Sequence, residues 1–342
     1  MRRALYILAA LLALGVILAA WLAQALWIPY RGFSRDGAFV EIPRGASTRE
    51  ISRLLEERGV IRSRWAFELL SRTRAVLRLQ AGEYFFERPA SALDVLDTLA
   101  AGRVYTRSVT IPEGLAIAEI ADLLEKEKLA SRDAFLAAAA DPAPVRDFAP
   151  RARTLEGFLF PARYEFPRRV TPQEIVAAMV RRFREVWSAM PAAGRVEGYS
   201  PAEIVALASL VEEETGSSSE RGAIAAVFYN RLRKKVALQC DPTVIYALRL
   251  AGRFDGTLNL RDLRIHSPYN TYRHPGLPPG PISNPGEASL RAALFPPRVE
   301  FLYFVANTRG GHFFSRTLAE HNSSVAQYRR LLAQINRENQ RR

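Results

Sequence analysis

Ala4 to Tyr30 carry no charge, and Leu, Ala, Ile, Val and Trp dominate the run as far as Ile28. A helix crosses a bilayer with roughly 20 apolar residues, so the pattern predicts a transmembrane helix. Trp21 and Trp27 suit the outer interface. Arg2 and Arg3 favour a cytoplasmic N-terminus, although Arg31 on the far side weakens the asymmetry. Ala23-Gln24-Ala25 resembles a signal-peptidase site, but the run exceeds the ~7–15 residues of a signal core. An uncleaved anchor over residues 1–30 is therefore expected. On either reading the chain from about residue 31 lies outside the cytoplasm.

Beyond the anchor the pattern repeats. Residues 40–56 and 109–125 match at an offset of 69, with nine identities in seventeen positions. The pairs are Val40/Val109, Ile42/Ile111, Pro43/Pro112, Gly45/Gly114, Glu50/Glu119, Ile51/Ile120, Leu54/Leu123, Leu55/Leu124 and Glu56/Glu125. Each copy reads as a short strand, a Pro-x-Gly turn and an amphipathic helix, the helices falling over Thr48–Arg58 and Ile117–Lys126. Second helices are expected at Ser63–Ser71 and Ser131–Ala139, and closing strands at Gly82–Phe86 and Phe158–Phe166. The unit is a βααβ module used twice. Ser91–Ala101 and Thr171–Ser188 read as further helices, the latter opened by Thr171 and Pro172.

Ser200-Pro201-Ala202-Glu203 is a strong helix start, with a capping Ser, Pro at the first position and a capping-box Glu. The helix runs through Val211, Gly216 is placed to end it, and its last turns hold Glu212, Glu213 and Glu214. Three carboxylates there oppose the macrodipole, so stability alone does not favour them. On a wheel of about 100° per residue, Glu213 falls opposite the apolar stripe and is expected in solvent. Glu212 falls between Val205 and Ala208, and Glu214 between Leu207 and Leu210. A carboxyl against apolar wall favours its protonated form, the state that a general acid needs near neutral pH. Periodicity keeps Glu212 and Glu214 both open, and a solvated acidic helix end is the plain alternative.

A helix over Ala223–Lys234 follows, then loops rich in Pro and Gly. They hold Leu238-Gln239-Cys240-Asp241-Pro242-Thr243, Ser267-Pro268-Tyr269-Asn270-Thr271-Tyr272 and the stretch Gly276 to Gly286. Asn, Gln, Thr and Tyr in such loops suit a neutral sugar, whose hydroxyls want hydrogen bonds and whose ring faces pack on aromatics. Leu302–Ala306 reads as a buried strand, Gly310–Phe314 as a turn into another, and the tail Ser323–Arg342 as a basic helix.

Composition narrows the partners. The chain of 342 residues is 49% hydrophobic with net charge +13, which excludes a disordered protein. The excess is almost all Arg, and no zinc knuckle or compact basic motif accompanies it, so nucleic acid is not an expected partner. The lone Cys240 excludes an intramolecular disulfide and reads as a buried, inert thiol. His266, His274, His312 and His321 lack metal-like spacing, so no metal and no other cofactor is expected.

Two resemblances add to this reading. The strand, V-x-I-P-x-G and helix of each copy resemble the start of a LysM module, a small peptidoglycan-binding fold. A spacer between membrane and enzyme is the alternative. Nearly the whole chain resembles the YceG-like family of endolytic murein transglycosylases. The likeness rests on the anchor, the I-P-x-G segments, L-E-G-F-L-F-P at Leu155–Pro161, V-E-x-E-T, F-Y-N-R-L, L-Q-x-D-P-T-V-I-Y, Y-N-T-Y, G-L-P-P-G-P-I and Y-F-V-A. It implies a single-pass inner-membrane protein with a periplasmic enzyme that cuts nascent glycan strands internally beside the peptidoglycan synthases.

The expected fold is α+β: the anchor, LysM-like modules over 31–105 and 106–170, and a catalytic domain over 171–342 with a lysozyme-like acid helix, the last by analogy only. The family's acid is the first Glu of V-E-x-E-T, Glu212 here. It would protonate the leaving oxygen of the β-1,4 bond between N-acetylmuramic acid and N-acetylglucosamine. It would then take the proton of the muramyl C6 hydroxyl as a 1,6-anhydro ring closes. Gln239, Asp241, Thr243, Tyr269, Asn270 and Tyr272 are the candidate sugar contacts. The competing readings are a muramidase with Asp241 as second carboxylate and a non-enzymatic wall-binding scaffold.

Overall fold

The computed structural model describes residues 2–74 and 76–340. Helix α1 (Arg2–Trp27) runs unbroken through Ala23-Gln24-Ala25, and its Leu5–Trp27 stretch is long and apolar enough to cross a membrane. The chain divides into two compact units, one of residues up to Arg107 with Glu165–Arg169, the other of Ser108–Tyr164 with Val170 onward. The sequence alone separates the second module from the catalytic half; in the structure both lie in one unit.

The first unit holds β1 (Ala38–Ile42), α2 (Thr48–Glu57), α3 (Arg64–Thr73), β2 (Gly82–Phe86) and α4 (Ala92–Ala100). Strands β1 and β2 pair antiparallel, with Ala38 opposite Phe86 and Ile42 opposite Gly82. Ala38, Val40 and Ile42 alternate inward, as a half-buried strand must. They meet Ile51, Leu55, Phe67, Tyr84, Val95, Leu96 and Leu99 in one core. Ala25 and Leu26, at the end of α1, belong to that core as well.

The second unit continues with β3 (Arg107–Thr110), α5 (Ile117–Lys126), α6 (Arg132–Ala139) and β4 (Arg163–Phe166). Strand β3 pairs with β4. Then come α7 (Pro172–Ala189), α8 (Pro201–Glu214), α9 (Arg221–Arg233), α10 (Asp241–Leu250) and α11 (Glu287–Leu294). Strands β5 (Tyr303–Ala306) and β6 (His312–Ser315) and helix α12 (Leu318–Gln340) follow; the last two residues of the tail lie outside the described residues. Phe148 packs edge to face on Phe158 and on Phe183 and Trp187 of α7, and Phe158 edge to face on Phe183.

Two sequence expectations are corrected. The closing strand of the second module is only Arg163–Phe166. Phe158 and Leu159 enter the core through a turn, and Pro161 has no N–H to give a ladder. Strand β5 is half-buried, because it pairs with β6 alone in a two-stranded ribbon.

Six of the nine identities have a direct physical cause. Val40/Val109, Ile42/Ile111, Ile51/Ile120 and Leu55/Leu124 are all at most 4% exposed. Gly45 and Gly114 both take left-handed backbone, φ +78° and +81°, which a side chain would strain. Glu56 accepts from the Arg64 N–H at 2.9 Å and Glu125 from the Arg132 N–H at 3.0 Å, so each caps the second helix of its own copy.

One buried carboxyl ties the second module to the rest of its unit. Glu156 is 6% exposed. Its oxygens accept from the Ile117 N–H and the Asn284 amide, both at 3.0 Å, and from the Tyr246 hydroxyl at 3.1 Å. Asn284 in turn accepts from the Leu159 N–H at 2.9 Å and donates to the Leu115 carbonyl at 2.9 Å. Its backbone bonds with Leu115 and Gly114. Asn284→Ala leaves several of these groups unpaired at once, and is expected to cost on the order of 3 kcal/mol in denaturant unfolding.

Burial pushes Glu156 up from an ordinary 4.5 to about 8, against the pull of its hydrogen bonds. The folded chain therefore keeps this proton up to about pH 8, while the unfolded chain loses it above about 4.5. Its stabilising share is complete below the lower value, declines as pH rises, and is gone above the upper one. Glu156→Gln, with no proton to lose, should flatten the decline of melting temperature between about pH 5 and 8. An unchanged slope in thermal unfolding would refute the assignment.

Candidate active site

Helix α8 starts as its sequence dictates: Ser200 accepts from the Glu203 N–H, and the Glu203 carboxylate accepts from the Ser200 N–H at 2.8 Å. It is more central than a one-sided stripe implies, since every residue from Ile204 to Val211 is buried. Ser209, on its nominally polar side, accepts from the Ile282 N–H at 3.0 Å. The Gly276–Gly286 loop thus closes over the helix, which ends at Glu214 with Thr215 extended, one residue before the expected Gly216.

The last turn carries three consecutive carboxylates, and each goes to a different place. Glu212 has a 6% exposed side chain. One of its oxygens accepts from an Arg221 guanidinium N–H at 3.2 Å, the other from the Gly286 N–H at 2.9 Å. Arg221 is itself set by Ser289, whose hydroxyl accepts from Nε at 3.0 Å. Glu113, from the I-P-E-G turn, lies 4.0 Å from the same guanidinium nitrogen that reaches Glu212. A Cβ added to Gly286 would lie 1.9 Å from the Glu113 carboxylate, so any side chain there would push Glu113 from its place.

Glu213 is exposed, as the wheel predicts, yet its carboxyl turns under Gly114, whose added Cβ would come within 3.2 Å of it. Desolvation pushes it up to about 7. Glu214 is half-buried beside Cys240; burial drives its carboxyl up, a hydrogen bond with the Cys240 thiol opposes this, and Asp241 adds to the rise. Burial pushes the Cys240 thiol well up, and Glu214 beside it pushes the same way, which makes it unreactive.

The two loops read as sugar contacts come together. Gln239, at φ +49°, bonds through its N–H to the Thr271 carbonyl at 3.3 Å. The Cys240 N–H reaches the Thr271 hydroxyl at 3.0 Å, and the Tyr272 hydroxyl donates to Asp241 at 2.5 Å. Tyr269 packs on Tyr246 with ring centres 4.9 Å apart. Gln239 and Asp241 are exposed, Tyr269 and Tyr272 half-buried. Thr243 and Asn270 are 0% exposed. Thr243 bonds to Cys240 and Thr271, and Asn270 to the Leu263, Ile265 and Tyr272 backbone, so both hold the loops rather than face a ligand. This loop pair meets α8 at Glu214, while Glu212 faces Arg221, Glu113 and Gly286.

Sequence reasoning missed Arg221, Glu113 and Gly286. No periodicity marks them, because they come from three segments. The available signal was inside the repeat: at the variable position of I-P-x-G, Arg44 in the first copy becomes Glu113 in the second.

Known proteins resemble this chain. Residues 40–327 match the model of the YceG-like family. An endolytic murein transglycosylase of Bacillus subtilis (strain 168) is 33% identical over 321 residues, covering 89% of this chain and 88% of the relative. One of Streptococcus pneumoniae serotype 2 is 29% identical over 335 residues, and the match spans 60% of that relative's length and 88% of this chain. The crystal structure of a yceG-like protein of Listeria monocytogenes superposes with a TM-score of 0.54 at 34% identity, over 85% of this chain and 99% of that one. With its family segment running from within β1 through both βααβ modules, α8 and the loops around it, the chain belongs to the YceG-like family.

Proposed function

We propose that this chain is a membrane-anchored lytic transglycosylase that cuts peptidoglycan glycan strands internally. The observation that carries the reading is the buried Glu212 carboxyl at the end of α8, held by Arg221 and the Gly286 N–H. The relatives named endolytic murein transglycosylases support it.

The reaction needs one carboxyl. Glu212 gives its proton to the bridging oxygen between N-acetylmuramic acid and N-acetylglucosamine as the glycosidic bond breaks. It then takes the proton of the muramyl C6 hydroxyl, whose oxygen bonds to the anomeric carbon and closes the 1,6-anhydro ring. The carboxyl ends as it began, and no water is consumed. An intramolecular nucleophile carries a high effective molarity, so a second catalytic carboxylate is dispensable. The muramidase alternative requires Asp241 to serve Glu212. Its bond to Tyr272 and its place beside Glu214 support the transglycosylase reading instead.

Gln239, Asp241, Tyr269 and Tyr272 are the residues we assign to glycan contact, with Thr243 and Asn270 fixing their loops. The βααβ modules are read as LysM-like, in keeping with a wall polymer as ligand. Helix α1 is read as a single inner-membrane span with the enzyme in the periplasm, where the synthases that extend the same strands work.

The test uses the full chain in detergent on uncrosslinked glycan strands, with products identified by mass. Anhydro ends, one water lighter than reducing ends, are expected; reducing ends alone would establish a hydrolase. Glu212→Gln should lower their release by ~10²–10⁴-fold while thermal unfolding stays near wild type. Glu214→Gln should weaken the fold more than turnover, because that carboxyl serves the Cys240 loop. A folded Glu212→Gln protein with near wild-type turnover would overturn the reading.

A further inference from the structure

The turn before α5 brings a second carboxylate to Glu212. Glu113 has a half-exposed side chain, while Arg221 is 10% and Glu212 6% exposed. Both carboxylates converge on one guanidinium nitrogen, at 4.0 and 3.2 Å. Ser289 holds Arg221 from the other side at 3.0 Å, so the guanidinium is not free to follow either carboxylate alone. Backbone geometry fixes the approach. The Gly286 N–H binds Glu212, and the Glu113 carboxylate lies where a Cβ of residue 286 would be. The charged groups facing Glu212 are Arg221 from α9, Glu113 from the turn before α5, and Glu213 on its own helix.

From this arrangement we infer that Glu113 is a positioning residue for the proposed reaction, dividing the charge of Arg221 with Glu212 so that the guanidinium is not committed to the acid alone. The inference rests on Glu212 being the acid. An Arg paired with Glu212 alone would favour the carboxylate and so disarm a general acid. A second carboxylate on the same guanidinium offsets that pull. Burial, then the Glu212 charge, push Glu113 up from the ordinary range while Arg221 opposes them, which agrees with this sharing. The repeat agrees too. At the matching place in the first module stands Arg44, so the fold of a module does not ask for an acid there.

The test is the pH profile of kcat/KM for release of anhydro ends, measured on the full chain in detergent. Glu113→Gln keeps the shape and removes the charge, leaving Arg221 to Glu212 alone. Its alkaline limb, where the acid loses its proton, should move to lower pH by roughly 0.5–1 unit, and Glu113→Asp should restore part of the shift. A Glu113→Gln enzyme with an unmoved profile overturns the inference, whether its rate is normal or reduced, since a structural role would change rate or melting temperature without moving the limb. In that event Glu212→Gln, assayed alongside and inactive, leaves the acid assignment standing. Near wild-type turnover by a folded Glu212→Gln protein would remove both.

Discussion

The Glu156 carboxyl lies out of reach of water, and its hydrogen bonds end on segments far away in the chain. Ile117 is 39 residues before it, Tyr246 90 residues and Asn284 128 residues after it. An unpaired polar group there would cost more than the net worth of the bonds, so the three segments are held to one arrangement. The Asn284 loop then lies against the turn that carries Glu113, and two residues beyond Asn284 the Gly286 N–H reaches Glu212. The geometry at the end of α8 is thus set by a carboxyl that is not on that helix.

The acidic end of α8 is unfavourable for the helix by itself, since three carboxylates face the negative end of the macrodipole. Its cost is met locally and separately. Arg221 and a backbone N–H meet Glu212, and the Cys240 thiol meets Glu214. Glu213 lies under the Gly114 turn. That division is why residues adjacent in sequence serve three different neighbourhoods.

Much of this was legible beforehand. The repeat gave strands and helices to within a residue or two, because its identities are core positions, a left-handed glycine and a helix cap, all local in origin. The caps at Ser200 and Thr171 likewise act within one turn. What the sequence hid depends on distant neighbours. Helix α8 is buried all round because the Gly276–Gly286 loop covers its polar side, and no wheel can show a covering loop. Thr243 and Asn270 have the chemistry of sugar contacts, and only their burial shows that it is spent within the protein. Glu156 sits in a recognised motif, but nothing in the spacing separates a hydrogen-bonding centre from a solvated acid.

Ala25 and Leu26 are residues of α1 and of the first unit's core at once. A helix that merely tethers a domain leaves it free to swivel on a slack joint. Here the joint is packed, with Leu22 one turn earlier resting on the same cluster. Rotation or tilt of the helix is carried directly into the module as by a handle fused to its blade, and severing the chain at Ala25 would strip away part of the interior along with the handle.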